Sequence, residues 1–422
     1  MSIKRIEVKN FKSFKDLSIN LGEFNVVIGA NASGKSNFVS IFKFLRDIVT
    51  LGLENAVSLQ GGVEYLRNIN IGYSENLYIK VVFDEKYSMI PFKTRTGIIG
   101  LKSYETVYEF SLKFYKIKRK TGFRIEKDRL IYRVKFLSVA EKDGKSVVSG
   151  EIGEGKIVIS QNKRRIRMNL IKPKNIDFDS KEWFIKILDK LPEHTLLIEV
   201  PTLIFPPLNP MKNAFALGDI AIYDFDPKLP KKATPITGKA ELEEDGSNLS
   251  IILKNIISRQ DEKRRLFNLI RDLLPFVENL DVEKFADKSL LFKISESFSK
   301  KRYLPASLIS DGTINITALI IALFFERKPF VIIEEPERNI HPHLISKLVE
   351  MMKDASRHKQ ILVTTHNPEF VKHAGLENLL LISRNREGFS EISRPVTKDE
   401  VKIFLENDIG IDELYVQNLL EV

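Results

Sequence analysis

From Ser2 to Phe11 apolar and charged residues alternate, the period of a half-buried strand. Phe24-Asn-Val-Val-Ile28 is a short apolar, β-branched run and predicts a buried strand. Small residues follow it. Apolar positions 38, 39, 41, 42 and 45 then fall at helical spacing. Further on, Tyr108–Tyr115, Arg129–Phe136 and Lys156–Ser160 alternate as strands, with turns expected at Asp143-Gly144 and Gly153-Glu-Gly155. Pro201, Pro206, Pro207 and Pro210 predict a loop-rich connection. Helical spacing returns from Gly246 to Leu274, and an apolar helix is expected from Ile314 to Phe325. Strands are expected at Phe330–Ile333 and Ile361–Thr365. No heptad or internal repeat is visible. The pattern predicts an α/β protein in which a β-rich insertion splits one domain: an N-terminal lobe at 1–105, an insertion with connector at 106–240, and a C-terminal lobe at 241–422.

Composition changes this picture in two places. The chain contains no cysteine, which excludes a disulfide framework and thiolate-held metal. The longest apolar run, Ile316 to Phe325, is half a membrane span, so a soluble, cytoplasmic protein with no membrane partner is expected. The net charge of +10 is uneven. Lys116 to Lys135 carries nine Lys/Arg against Glu126 and Asp128, and Lys163 to Lys174 carries six with no acid. Lys116, Lys118, Arg119, Lys120, Arg124, Lys163, Arg164, Arg165 and Arg167 are thus candidates for contacting nucleic-acid phosphates. Phe114, Tyr115, Phe123 and Tyr132 interleave with them, which also allows single-strand stacking.

Gly29-Ala-Asn-Ala-Ser-Gly34-Lys35-Ser36 lies between the predicted strand and helix, the setting a phosphate-binding loop requires. Glycines let backbone N–H groups curl around phosphates, and the helix start adds a positive dipole end. Asn31, Ala32, Ser33, Gly34, Lys35, Ser36 and Asn37 are the candidate ATP contacts. Lys35 would reach the β- and γ-phosphates and the Ser36 hydroxyl would bind Mg²⁺. Glu334 and Glu335 end the strand at Phe330, where ligand chemistry gathers in α/β sheets. The first can orient Mg²⁺ through its water shell, and the second can polarise an attacking water. Ser310 or Asp311 is a good N-cap for the apolar helix, and Gly312 allows close backbone approach. His366 ends the strand at Ile361.

The order of these segments resembles the ATP-binding-cassette ATPases of the RecF, structural-maintenance-of-chromosomes and OLD group. Asn10-Phe-Lys-Ser-Phe14 and the phosphate loop look like the group's opening. Ser310-Asp311-Gly312-Thr313 looks like its signature motif, Glu334-Glu-Pro-Glu337 with Asn339-Ile-His-Pro342 like its Walker B motif and D-loop, and His366 matches its switch histidine. Tyr223-Asp-Phe-Asp-Pro227 and Asp245-Gly-Ser-Asn-Leu249 look like features of stand-alone members. The resemblance implies a P-loop ATPase of ABC type that hydrolyses ATP with Mg²⁺ in a homodimer sandwiching the nucleotide. Glu335, His366 and Lys35 are its expected catalytic residues, Lys12 touches phosphate, and Gln60 takes the glutamine-loop role beside the metal. It also implies action on DNA, in repair or anti-phage defence, or alternatively an ATP-gated regulator of a separately encoded nuclease. Glu334 stands where the wider superfamily has Asp. From the length of the stretch after His366, no nuclease domain of the kind OLD enzymes carry there is expected.

Overall fold

A computed structural model describes the chain apart from residues 1, 85–88, 95–96, 119, 143–144, 175, 177–190, 201–216, 286–287, 300–301, 400, 402–409 and 422. Arg119, the expected turn at Asp143-Gly144 and the four prolines from Pro201 to Pro210 therefore lie outside the described residues. The chain forms two compact units.

The first unit comprises residues 1–21, 36–220 and 384–392. Its eight-stranded sheet runs Phe14–Asn20, Ser2–Phe11, Leu77–Asp84, Gly97–Ile117, Lys120–Lys142, Lys145–Asn162, Arg165–Ile171, with Ile90–Thr94 paired to Gly97–Ile117. Every pairing is antiparallel. The first strand buries Ile3, Ile6 and Val8 and exposes Arg5 and Lys9, as its alternation predicts. Phe38, Phe42, Phe44 and Leu45 of the Lys35–Leu51 helix are fully buried. The Phe44 ring lies tilted, 5.9 Å from Phe11 and 6.5 Å from Phe110, and Phe38 lies 6.4 Å from Phe14. Each such side chain stabilises by about 1.5–3 kcal/mol, which explains why this helix clings to the sheet.

Two sequence expectations meet a different geometry here. The expected lobe boundary at 105 falls inside the Gly97–Ile117 strand, whose residues on both sides of it pair with Leu77–Asp84. Gly153-Glu-Gly155 is not a turn: the Lys145–Asn162 strand runs through it. The glycines serve packing instead, since a Cβ on Gly155 would lie 2.5 Å from the Phe136 ring.

The second unit comprises 22–35, 221–383 and 393–422. Its main sheet places Ile220–Tyr223, Phe330–Glu334, Gln360–Thr364, Phe24–Ile28 and Leu379–Arg384 in that order. Phe330–Glu334, Gln360–Thr364 and Phe24–Ile28 run parallel, as does Leu379–Arg384 beside Phe24–Ile28. Phe24–Ile28 is buried throughout, as a central parallel strand must be. The helical stretch expected from 246 resolves into Leu249–Ile257 and Gln260–Leu273, and the apolar helix spans Asp311–Phe324. A smaller antiparallel sheet joins Thr234–Pro235, Ser289–Glu296, Val277–Phe285 and Tyr303–Pro305. Among the described residues no helix is long and apolar enough to cross a membrane.

Candidate functional site

The Phe24–Ile28 strand ends in the glycine loop. Ala32 (φ 62°) and Gly34 (φ 121°) adopt left-handed backbone within it. That conformation costs a non-glycine residue about 1–3 kcal/mol and is kept where a site needs it. Alternating handedness turns successive N–H groups into one concavity, an anion cradle. Gly29 (φ 150°) is fixed by close approach, because a Cβ there would sit 2.2 Å from the Ile382 carbonyl oxygen. The helix opens at Lys35, so its first N–H groups have no intrahelical acceptor. Lys35 Nζ donates to the Gly29 and Ala30 carbonyls at 2.7 and 3.1 Å. Burial lowers its pKa and the nearby Glu335 charge opposes that. The cradle and the lysine folded over it fit a phosphate chain.

The two acids stand at the carboxyl end of Phe330–Glu334. Glu334 pairs with Thr364, and the Glu335 N–H donates to the Thr364 carbonyl at 2.8 Å. Glu335 has φ 45°, and this turn swings its side chain to two partners. Oε1 lies 3.0 Å from His366 Nδ1, and Oε2 accepts from Arg338 Nη2 at 3.0 Å. Arg338 Nη1 also donates to Asp224 at 2.9 Å. Burial alone would raise the Glu335 pKa, but Arg338 and His366 outweigh it and hold the carboxyl below the usual range. Among the described residues no three carboxylate or imidazole groups converge. A magnesium ion held by one carboxylate, phosphate oxygens and water fits that donor set.

Ser310 caps the Asp311–Phe324 helix, its Oγ accepting from the Thr313 N–H at 3.1 Å. Asp311 is ion-paired with Lys231. Gly312 lies against the loop after Glu335, where an added Cβ would be 2.5 Å from the Asn339 carbonyl oxygen. Asn315 donates to the Pro336 and Arg338 carbonyls at 3.3 and 2.7 Å. The signature segment is thus tied to the loop that carries Arg338.

Lys12, Ser36, Asn37 and Gln60 belong to the first unit. Lys12 Nζ donates to Ser40 Oγ at 3.2 Å, and burial with the Lys43 charge lowers its pKa. Ser36 O accepts from Ser40 Oγ, and Asn37 Nδ2 donates to Ser13 Oγ at 2.9 Å. Gln60 closes the Leu53–Leu59 helix and is buried. Lys116, Lys118, Lys120, Arg124, Lys163, Arg165 and Arg167 are exposed, whereas Arg164 is half-buried and donates to the Leu191 carbonyl at 2.8 Å. Of the aromatic residues among them, Phe114, Phe123 and Tyr132 are buried, whereas Tyr115 is exposed, with its ring over Gly122.

Sequence reasoning missed Arg338, whose signal was its place one turn after Glu335. It also missed Glu337, buried and accepting from the Thr365 hydroxyl; burial pushes its carboxyl pKa up. Tyr415 was missed too. Burial pushes its hydroxyl pKa up and the Gly29 backbone opposes that, a proximity with no local trace in the sequence.

A family model described as "AAA domain, putative AbiEii toxin, Type IV TA system" matches residues 24–147 and 217–372, more than half of the chain. The chromosome partition protein Smc of Methanocaldococcus jannaschii is 46% identical over 46 residues, 11% of this chain and 4% of that protein. Endonuclease GajA of Bacillus cereus is 43% identical over 47 residues, 11% of this chain and 8% of that one. Urease accessory protein 2 of Cryptococcus neoformans var. grubii is 30% identical over 143 residues, 31% of this chain and 10% of that one. The chain therefore spans a tenth or less of the length of these relatives. The crystal structure of the SmcHead bound to the C-winged helix domain of ScpA aligns with a TM-score of 0.50 at 15% identity, over 93% of this chain and 97% of that one, and so shares the fold. With a phosphate loop and paired acids at the ends of parallel strands, the chain belongs to this AAA-domain family, with the P-loop fold that it shares with a structural-maintenance-of-chromosomes head.

Proposed function

We propose that the chain hydrolyses ATP with Mg²⁺ and couples the cycle to closure of a homodimer acting on DNA. The observation that carries this reading is Glu335, held ionised between His366 and Arg338 beside the phosphate loop. In it, Lys35 leaves the Gly29 and Ala30 carbonyls to bind phosphate oxygens, and the loop N–H groups and helix start hold the rest of the chain. Ser36 and Glu334 would hold magnesium, which would supply charge neutralisation on the phosphates. Glu335 orients a water and accepts its proton as the terminal phosphate bond breaks. His366 stands on the same carboxylate and is the candidate sensor of the γ-phosphate. Ser310, Asp311, Gly312 and Thr313 would face the nucleotide of a second copy from their helix N-terminus. The test is steady-state phosphate release by wild type and Glu335→Gln. Equal rates would remove Glu335 from the chemistry.

The likeness to Endonuclease GajA favours a second reading, an ATP-gated regulator of a separately encoded nuclease. In that case turnover is slow and unaffected by nucleic acid. The basic residues of the first unit, Lys116 to Arg124 and Lys163 to Arg167, favour the DNA reading.

A further inference from the structure

The first unit's sheet has one face that carries the core and another that stays open among the described residues. Tyr108, Phe110, Leu130, Tyr132 and Ile159 point to the core side. Their strand neighbours point away, and the register aligns them in rows. Glu7, Lys80, Glu109, Arg129, Ser160 and Arg167 form one row across six strands. Five strand spacings make that row about 24 Å long. Glu105, Arg133 and Lys156 form part of another row.

The face is short of acid. Glu7, Glu105, Glu109, Glu151 and Glu154 serve six cations: Arg5, Lys80, Lys127, Arg129, Arg133 and Lys135. Lys156, Arg165 and Arg167 have no ion-pair partner among the described residues. Two open grooves lie along it, of about 470 Å³ near Lys80, Arg133 and Lys156 and about 770 Å³ near Lys127, Arg129 and Lys163. The Lys163–Arg164 turn at its end takes left-handed backbone at both residues (φ 47° and 71°), where Asn-Gly is the usual choice. Protection of an exposed sheet edge explains charge on Arg165 and Arg167. It does not explain Arg129, Arg133 and Lys156, which lie on inner strands.

We infer that this open sheet face, beyond the hairpin turns, is the docking surface for the phosphate backbone of a nucleic-acid duplex. The inference rests on the DNA reading above and names its surface. Tyr78 and Tyr104 on this face hold acids through their hydroxyls, and Lys127 sits over the Tyr78 ring. Tyr115 alone of the candidate aromatics is exposed, too few for a run of stacked bases, so recognition is chiefly by charge on the backbone.

The experiment is fluorescence anisotropy of a labelled random-sequence DNA duplex across a salt series. It compares wild type with the triple variant Arg133→Gln, Lys156→Gln, Arg167→Gln and with Lys116→Gln, Lys118→Gln, Lys120→Gln. Each lost phosphate contact removes about 0.9 from the log–log salt slope, so the face variant should lose about 3. Thermal melting shows whether each variant is folded, and Lys156→Gln alone serves if the triple is not. Wild-type binding that the face variants retain overturns the surface while leaving DNA binding in place. Wild type that prefers single-stranded DNA overturns the duplex proposal while leaving DNA binding in place, and wild type that binds neither form of DNA overturns both.

Discussion

Glu335 Oε1 and His366 Nδ1 stand 3.0 Å apart, although 31 residues separate them in the chain. The contact exists because Phe330–Glu334 and Gln360–Thr364 are neighbouring parallel strands in register, Glu334 opposite Thr364, so both chains leave the sheet at one place. An acid that could take a proton and an imidazole that could respond to phosphate share one hydrogen bond.

Glu335→Gln should bind ATP, cleave it about 10²–10⁴-fold more slowly, and accumulate as a dimer. The amide keeps the carboxylate's size but is a poor proton acceptor. Dimerisation requires that ATP favour the closed state, since equal affinity for both states shifts nothing. Light scattering with and without ATP and Mg²⁺ reads the mass. A monomer at saturating ATP would rule out the shared site.

Lys35→Ala should abolish turnover and leave the melting temperature close to wild type. The ammonium bonds only loop carbonyls, so its loss removes phosphate compensation and little packing. Wild-type phosphate release by the purified variant would end the phosphate-loop reading.

Arg338→Ala should move the acidic limb of the kcat/KM profile to higher pH. Burial pushes the Glu335 carboxyl up, and Arg338 is the foremost group holding it down. Without that guanidinium, Glu335 protonates at a higher pH and the base is lost sooner on acidification. An unshifted limb would show that Glu335 is not the titrating base.

Gly312→Ala should destabilise the second unit by about 1–3 kcal/mol, as overpacking does. A methyl there meets the Asn339 carbonyl at 2.5 Å, and the helix must retreat from the loop that positions Arg338. Denaturant melts measure the cost. A neutral substitution would mean that the loop yields freely.

Asp128 gives the first unit a pH-dependent stability. Complete burial pushes its carboxyl up to about 7, against the Leu197 N–H and Tyr108 hydroxyl that bond it. Between the unfolded value near 4 and about 7, the folded state holds a proton that the unfolded state has released. Stability should therefore fall as pH rises through that window, by at most about 1.4 kcal/mol per pH unit, and level off above it. Asp128→Asn should flatten this slope. Melting curves that keep wild-type pH dependence in the variant would assign it to other groups.

What the sequence by itself determined is local. The phosphate loop was legible because strand, glycine turn and helix start lie within one short stretch, whose cradle depends on backbone handedness at Ala32 and Gly34. The Ser310 cap and the acid pair after Phe330–Glu334 were legible for the same reason. Tertiary structure alone decided which neighbours met. Strand order places Gln360–Thr364 between the acid-bearing strand and the loop-bearing strand, and no local pattern specifies that order. It brought Arg338 and Asp224 together. Alternation likewise showed that residues 108–136 have two faces, but not which of them the core would cover. The Lys35–Leu51 helix and its phenylalanines cover the face with Phe110, which took Tyr132 from the surface and left Arg129 and Arg133 in solvent. Periodicity fixes faces within one strand, whereas cross-strand register and layer packing depend on residues far apart in the chain.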